Sequence, residues 1–348
     1  MRLYKYILSF LLAQLLVSCI RDEVLPCPPL QVKIAVKDKN YFNIESAVHW
    51  GMDVRKDEDL PFRDYVSTLY YKVERLETKE LVIEQKLFTV TSGDQELGVT
   101  FPEDLPFGTY VMTTWGNMRS EVPLGDDTST SDLHLYHAQG NDIYLSCDTL
   151  VYDERQYQYR VELERVKGKL LIKAENLPDE IRFSTKDITN VYAYITSDFN
   201  YSLSTLVHTD TLWTQPNEIL TGTLLCPSTE PEESNLSINF YEVFSEELRA
   251  ENGRRWIAPE DIRITMSRNT LTILRYVYES GGEIIPPDPD PDPDPDPGPD
   301  PDPDPGPDPD PGPGPNPDPD PGGDGNSKFK MYVLVNDNWE TMHSMEIE

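Results

Sequence analysis

Cys19 is the residue whose chemistry its neighbours define most sharply. It closes the run Leu16-Val17-Ser18-Cys19, with an aliphatic residue at −3, a small one at −1 and cysteine at +1. Arg2 and Lys5 form a positive start, and Ile7 to Val17 is apolar apart from Ser9 and Gln14. The run is shorter than the ~20 residues of a membrane-spanning helix and suits the apolar region of a cleaved signal peptide. This is a lipobox. The thiol of Cys19 is expected to carry a thioether-linked diacylglycerol, and cleavage then frees its amine for a third acyl chain. At ~0.8 kcal/mol per buried CH₂, several chains hold a protein durably on a membrane. A plain secretory signal with an incidental Cys19 is the competing reading; position, spacing and flanks all favour lipidation.

The other reactive side chains are sparse. Without Cys19, three cysteines remain: Cys27, Cys147 and Cys226. An exported chain meets an oxidising compartment, so one disulfide among them is one reading, its pairing open. Small buried hydrophobes are the other. Their spacing fits no zinc pattern. Of the five histidines only His134 and His137 are close. On a strand that spacing sends them to opposite faces, so a turn or surface role is expected rather than shared metal ligation. Trp50, Trp115, Trp213 and Trp256 could form a carbohydrate platform, but core packing is the better expectation for an all-β protein. There is no phosphate-binding glycine loop, nucleophile elbow or zinc-protease motif. No catalytic residue, metal or cofactor is expected, and a lipoprotein enzyme with an unrecognised site ranks as a third reading. A net charge of −32 excludes the basic footprint that nucleic-acid binding requires.

The elements that position these residues read as strands. Val32, Ile34 and Val36 alternate with lysines; Leu69, Tyr71 and Val73 alternate with Tyr70, Lys72 and Glu74. Tyr157 to Leu163 does the same, Leu170, Ile172 and Ala174 follow a turn at Lys167-Gly168, and Ile262, Ile264 and Met266 close the series. Period-2 alternation with one polar face predicts half-buried antiparallel strands. Only Asn43–Trp50 and Ser245–Glu251 suggest short helices. With aromatics at 10% and apolar residues at 38%, packed cores are affordable in composition. The expected class is all-β, with two Greek-key sandwich domains over 19–155 and 156–285 after a signal peptide over 1–18.

Residues 286–327 then form a Pro/Asp-rich linker. Pro286 to Pro321 holds 19 of the 31 prolines, 12 Asp, 4 Gly and Asn316. Proline at alternate positions removes backbone donors and fixes φ. In polyproline II geometry such a tract reaches roughly 110 Å at ~3.1 Å per residue. Proline also keeps the carboxylates from converging on a calcium ion. Beyond it the chain resumes as a strand segment, 328–348. Phe329, Met331, Val333 and Val335 share one face, and Trp339 follows the turn Asn336-Asp337-Asn338. So short a segment has too little core to fold alone, and must pair with its own sheet or another molecule's.

The whole arrangement resembles the FimB-type fimbrial anchor lipoproteins of Bacteroidetes, within the fimbrillin superfamily. The resemblance rests on lipobox Cys19, on Cys27 in Leu25-Pro26-Cys27-Pro28 before the first strand, on Tyr159 to Ile172 as the opening of a second domain, and on the ending Val335 to Glu348. The acidic pair Asp22-Glu23 after the anchor is similar to the surface-export signal of lipoproteins from these bacteria. The resemblance implies two transthyretin-like sandwiches, an outer-membrane or fimbrial location, and fimbrillin-type pilin subunits as partners. It also implies polymerisation by donor-strand exchange. An anchor keeps its lipidated N-terminus but can still donate, so Phe329, Met331, Val333, Val335 and Trp339 become the expected partner-binding residues. A surface glycan-binding lipoprotein is the alternative.

Overall fold

The computed structural model describes residues 28–125, 130–213, 218–242, 256–279, 328–335 and 338–346. Cys19, Cys27, the expected helix at Ser245–Glu251 and the Pro/Asp tract lie outside them.

The first half contributes β1 (Gln31–Val36), helix α1 (Ile44–His49), β2 (Thr68–Arg75), β3 (Leu81–Thr89), β4 (Leu97–Thr100), β5 (Gly108–Gly116), β6 (Thr130–Asp132), β7 (Tyr144–Tyr152) and β8 (Gln158–Arg165). The sheet order is β3-β2-β5-β7-β8-β1-β4. β7 and β8 pair as strands only at Tyr144–Arg165 and Leu145–Glu164. The sheet therefore turns a corner there into two layers, β3-β2-β5-β7 and β8-β1-β4. Their facing side chains form one core: Val32 and Ile34 of β1 and Val161 and Leu163 of β8 pack with Leu69, Val73, Tyr110 and Met112.

The second half holds β9 (Gly168–Glu175), β10 (Ile181–Thr196), β11 (Tyr201–Leu212), β12 (Glu218–Leu225), β13 (Ser234–Glu242), β14 (Trp256–Ile257), β15 (Ile262–Ile264), β16 (Leu271–Glu279), β17 (Lys328–Val335) and β18 (Asn338–Glu346). Its layers are β11-β10-β13-β14, with β15 and β6 attached, and β12-β9-β16-β17-β18. The strand order repeats that of the first half. β8-β1-β4 corresponds to β16-β9-β12, and β3-β2-β5 to β11-β10-β13. In both halves the first strand lies beside the last in parallel, β1 with β8 and β9 with β16. The pair β17–β18 has no counterpart in the first half.

Three sequence expectations change. A division at 155/156 would assign β8 to the second half, yet β8 pairs along its length with β1 and fills the first core. Period 2 predicts one polar face for β2, but Leu69 to Val73 is buried on both faces. The reason is a separate cluster at the meeting of the halves, where Tyr70 packs with Trp115, Leu145, Ile195 and Cys226. Gly168 opens β9 rather than making a turn. A Cβ there would stand 2.2 Å from the Ser267 carbonyl oxygen and 2.8 Å from that of Thr270, so backbone approach demands glycine.

Polar side chains bind the halves together. Arg165 is buried. Its Nε donates to both oxygens of Asp142 at 3.0 Å, Nη2 to the Tyr144 hydroxyl at 2.5 Å and Nη1 to Asn269 of the second half at 2.7 Å. The rings of Tyr41 and Tyr144 flank its guanidinium at 4.1 and 5.1 Å. Lys167, fully buried, donates to the carbonyls of Leu133 and Gln139, each at 2.6 Å. From the same seam α1 reaches over the second half. Asn43 at its N-terminus exchanges two hydrogen bonds with the backbone of Leu271, at 2.8 and 2.9 Å.

Gly168→Ala is expected to destabilise by about 3 kcal/mol, in the range of overpacking changes. Gly93→Ala, where no atom lies within 4 Å of the new methyl, should be nearly silent. Urea unfolding of the two variants against wild type checks the pair.

Candidate functional site

The strand pair that the first half lacks is the feature on which a site can be built. β17 runs antiparallel to β16, from Leu274 opposite Val333 to Glu279 opposite Lys328, and β18 pairs with its other edge. Alternation places Phe329, Met331 and Val333 toward the second core. Phe329 and Met331 are fully buried and Val333 packs against the same cluster. The pocket for Phe329 is aromatic. Phe240 of the facing sheet stacks on it at 5.7 Å, while Tyr278 and Tyr276 meet it edge-on at 5.4 and 6.3 Å. Those geometries suit ring quadrupoles and add to the area buried.

On the opposite face of β17 Leu334 is packed, while Lys330 is part-exposed. Leu334 packs with Ile44, Ala47 and Met52 of the α1 segment and with Leu171, Leu271 and Ile273. Near its end β17 thus joins, through Leu334, an apolar cluster shared with the α1 segment of the other half. Charges fix its register: Lys330 pairs with Glu279 at 2.6 Å, and Arg275 holds Glu175 at 2.5 Å while lying 5.5 Å from the Tyr332 ring. Arg275 and Lys173 keep the Glu175 carboxyl below its ordinary range against the opposing effect of burial.

Of the expected partner-binding residues, the described chain places Phe329, Met331 and Val333 in a groove of their own sheet. Val335 pairs with Asn338, and Trp339 stands opposite Leu334; their side chains lie outside the described residues. The alternation along 329–335 was legible in sequence. The pocket that receives it was not, although Leu274, Tyr276 and Tyr278 alternate along β16 in the same manner. The covering role of α1 depends on a contact between halves that no local pattern encodes.

At the β12 edge of the same sheet, across β9 and β16 from this groove, lies a buried cation. Lys186 of β10 is 2% exposed and crosses the core to donate to the hydroxyls of Thr221 and Thr223 on β12, each at 2.9 Å. Burial pushes its pKa down to about 8. Burial also pushes Lys167 down to about 8.

The remaining candidates separate. His134 is buried in a turn, not on the surface: Nδ1 meets the Ala138 carbonyl at 2.9 Å and Nε2 accepts the Cys226 N–H at 3.1 Å. Burial, with Lys167 nearby, pushes its pKa down to about 3, which keeps the ring neutral. His137 is exposed on a 3₁₀ turn rather than a strand. Cys147 and Cys226 are free thiols, and a bond of either to Cys27 lies outside the described residues. Cys226 is fully buried and its thiol is pushed up to about 12, so it is a packing group rather than a nucleophile. Trp115 is fully buried and Trp213 packs against the second core. Trp50 is exposed beside α1, and the Trp256 side chain lies outside the described residues. Among the described residues no three His, Cys, Asp or Glu side chains are placed to hold a metal ion.

No protein-family model matches this chain, and no curated protein matches its sequence. Similar solved structures include the fimbrial anchor protein Mfa2 from Porphyromonas gingivalis, at 13% identity and a TM-score of 0.42, covering 73% of this chain and 92% of that one. The C-terminally truncated tip fimbrial protein Mfa3 from the same organism matches at 11% identity and a TM-score of 0.38, covering 72% and 95%. A candidate adhesin from Bacteroides ovatus matches at 10% identity and a TM-score of 0.47, covering 94% and 98%.

Two outcomes follow from the groove. Phe329→Ala should lower stability by roughly 3–5 kcal/mol, as for other buried aromatics cut to alanine, and truncation after Asn326 should lower the melting temperature. Thermal and urea unfolding of both variants check this. The buried lysines give a pH signature. Their folded pKa values lie below the ordinary 10.5, so between about pH 8 and 10.5 the unfolded chain binds more protons and stability rises with pH. Each lysine contributes on the order of 3 kcal/mol across that window. Lys186→Met should raise stability at pH 7 and flatten the rise, read from urea midpoints at pH 7, 9 and 10.5.

Proposed function

We propose that this chain is a non-enzymatic, lipid-anchored surface protein that fixes or terminates a fimbria, with β17–β18 as its joint to a fimbrillin-type pilin. One observation carries the reading. A strand pair beyond a Pro/Asp tract occupies a sheet position that the otherwise repeated strand order leaves without a counterpart. In the free protein this pair fills its own groove. Joining a pilin then takes the form of strand exchange, in which β17 leaves β16 for an equivalent groove of the partner. Main-chain pairing supplies affinity, and pockets for Phe329, Met331 and Val333 supply register. Outer-membrane attachment follows from acylation at Cys19. For the glycan-binding alternative, a tryptophan platform is weakened by the burial of Trp115 and by the partial packing of Trp213 against the second core.

Two variants test the parts separately. Cys19→Ser should lose labelling by a palmitate analogue and shed the protein into the medium; a protein that is unlabelled as wild type, yet stays on the membrane, overturns the anchor. For the joint, Val277 and Lys330 stand opposite each other across β16 and β17. The double variant Val277→Cys with Lys330→Cys should lock β17 in place when oxidised. Co-purification of pilin with the lipidated protein is expected to fall in the locked form and return on reduction. Undiminished co-purification in the locked form overturns strand exchange.

A further inference from the structure

The strands of the first half give its two ends different surroundings. At one end lie the starts of β3, β5, β8 and β1 and the ends of β2, β7 and β4, as the pairs Glu74–Leu81, Gly108–Tyr152, Gln31–Gln158 and Gln31–Thr100 require. At the other lie Tyr144, Arg165 and the seam with the second half. The described chain enters at the first end. There Tyr152 donates from its hydroxyl to the Pro28 carbonyl at 3.0 Å, and Gln31 N–H donates to the Tyr157 carbonyl at 2.8 Å.

That end exposes a group of large apolar side chains. Leu76 is 38% exposed, Leu81 51%, Phe107 42% and Val151 43%. They are neighbours across strands: Leu76 N–H donates to the Thr109 carbonyl, Thr109 stands opposite Val151, and Phe107 meets the Tyr152 ring edge-on at 5.0 Å. A second exposed group, Phe42, Val48, Trp50 and Val54, lies beyond the other end of β1, toward the second half.

We infer that the Leu76–Leu81–Phe107–Val151 end is a membrane-contacting surface, its occupant a lipid bilayer. The inference rests on the reading of Cys19 as the acyl anchor. Eight residues separate Cys19 from Pro28, and at most ~3.5 Å per step the distance between the two spans roughly 30 Å. The tether joins the chain at this end, so this is the end it draws to the headgroup layer, where partly exposed Phe, Leu and Val insert shallowly. Exposed charge selects the lipid. Glu77, Glu80, Glu103, Asp104, Asp153 and Glu154 outnumber Arg75, Lys79 and Arg155 at this end, so it fits a zwitterionic surface and is repelled by an anionic one. It also directs the second half, and with it β17–β18, away from the bilayer.

The test uses the full lipidated chain in vesicles of phosphatidylcholine brominated in its acyl chains. Phe107→Trp places an indole at the proposed face, and Leu212→Trp places one on β11 of the second half. Mass spectrometry of the same preparation reports acylation at Cys19. Emission gained from Phe107→Trp over wild type should be lost to bromine quenching, whereas that from Leu212→Trp should persist. Replacing part of the lipid by phosphatidylglycerol should weaken the quenching. With Cys19 acylated, equal or absent quenching at both positions overturns the membrane face alone. If Cys19 carries no acyl chain, the anchor reading on which it rests has failed instead.

Discussion

Each half depends on a parallel pairing of its first strand with its last. Parallel neighbours cannot be joined by a tight turn, because the chain must travel back before it can run in the same direction. Between β1 and β8 every other element of the first half intervenes, and between β9 and β16 every strand of the second half but β17 and β18. Of the intervening strands, β4 and β12 take the free edge of the first strand, and the others build the facing layer. This is why the order β3-β2-β5 above β8-β1-β4 recurs as β11-β10-β13 above β16-β9-β12. It also explains why Gly168 is intolerant of a side chain. β9 must start where the carbonyls of Ser267 and Thr270 bring β16 alongside it.

Beside its apolar cluster, the seam between halves carries buried, hydrogen-bonded polar groups. Arg165 bonds Asp142 and Tyr144 on one side and Asn269 on the other. Lys167, His134 and the Cys226 amide form a second set. Removing one partner of such a group strands the rest in low dielectric, which is more damaging than the group's net contribution suggests. Its geometric demand is what counts: five guanidinium donors with fixed directions accept few relative placements of the halves. The α1 helix adds an apolar contact to that seam, and through Leu334 the same contact bears on β17. The orientation of the halves and the seating of the C-terminal strand are therefore linked.

Strand content was legible because period 2 is local. Val32, Ile34 and Val36, then Val161 and Leu163, fall on the buried face as their spacing predicts. The short helix over Ile44–His49 was legible as well. What escaped was non-local. β8 looks like the opening of a new unit because Asp153 to Gln156 reads as a break, yet its partner β1 lies over a hundred residues earlier. The polar-looking face of β2 is buried because a second body covers it, and Tyr70 and Lys72 carry no signal of that. At the candidate site, the apolar face of 329–335 was readable from the chain itself. Whether it serves its own sheet depended on Phe240, Tyr276 and Tyr278, residues which announce only that they are core.

Self-pairing of β17 sets the energetic terms for any exchange. The chain between β16 and β17 holds the strand near its own groove at an effective concentration that falls with its length. A compact linker would make that concentration higher and exchange harder. The more chain that separates β16 from β17, the weaker the return of β17. Leaving the groove still exposes Phe329, Met331 and the rings around them, so a free open state is strongly disfavoured. Exchange then requires a second groove that receives the strand as the first releases it. Such a groove need not bind much better than β16 does, because the strand order is preserved and the same kind of main-chain pairing is made on both sides. Specificity would come from what surrounds the strand, and here α1 is the distinguishing contact. A partner groove without a helix against Leu334 must offer another apolar cover, or β17 stays at home.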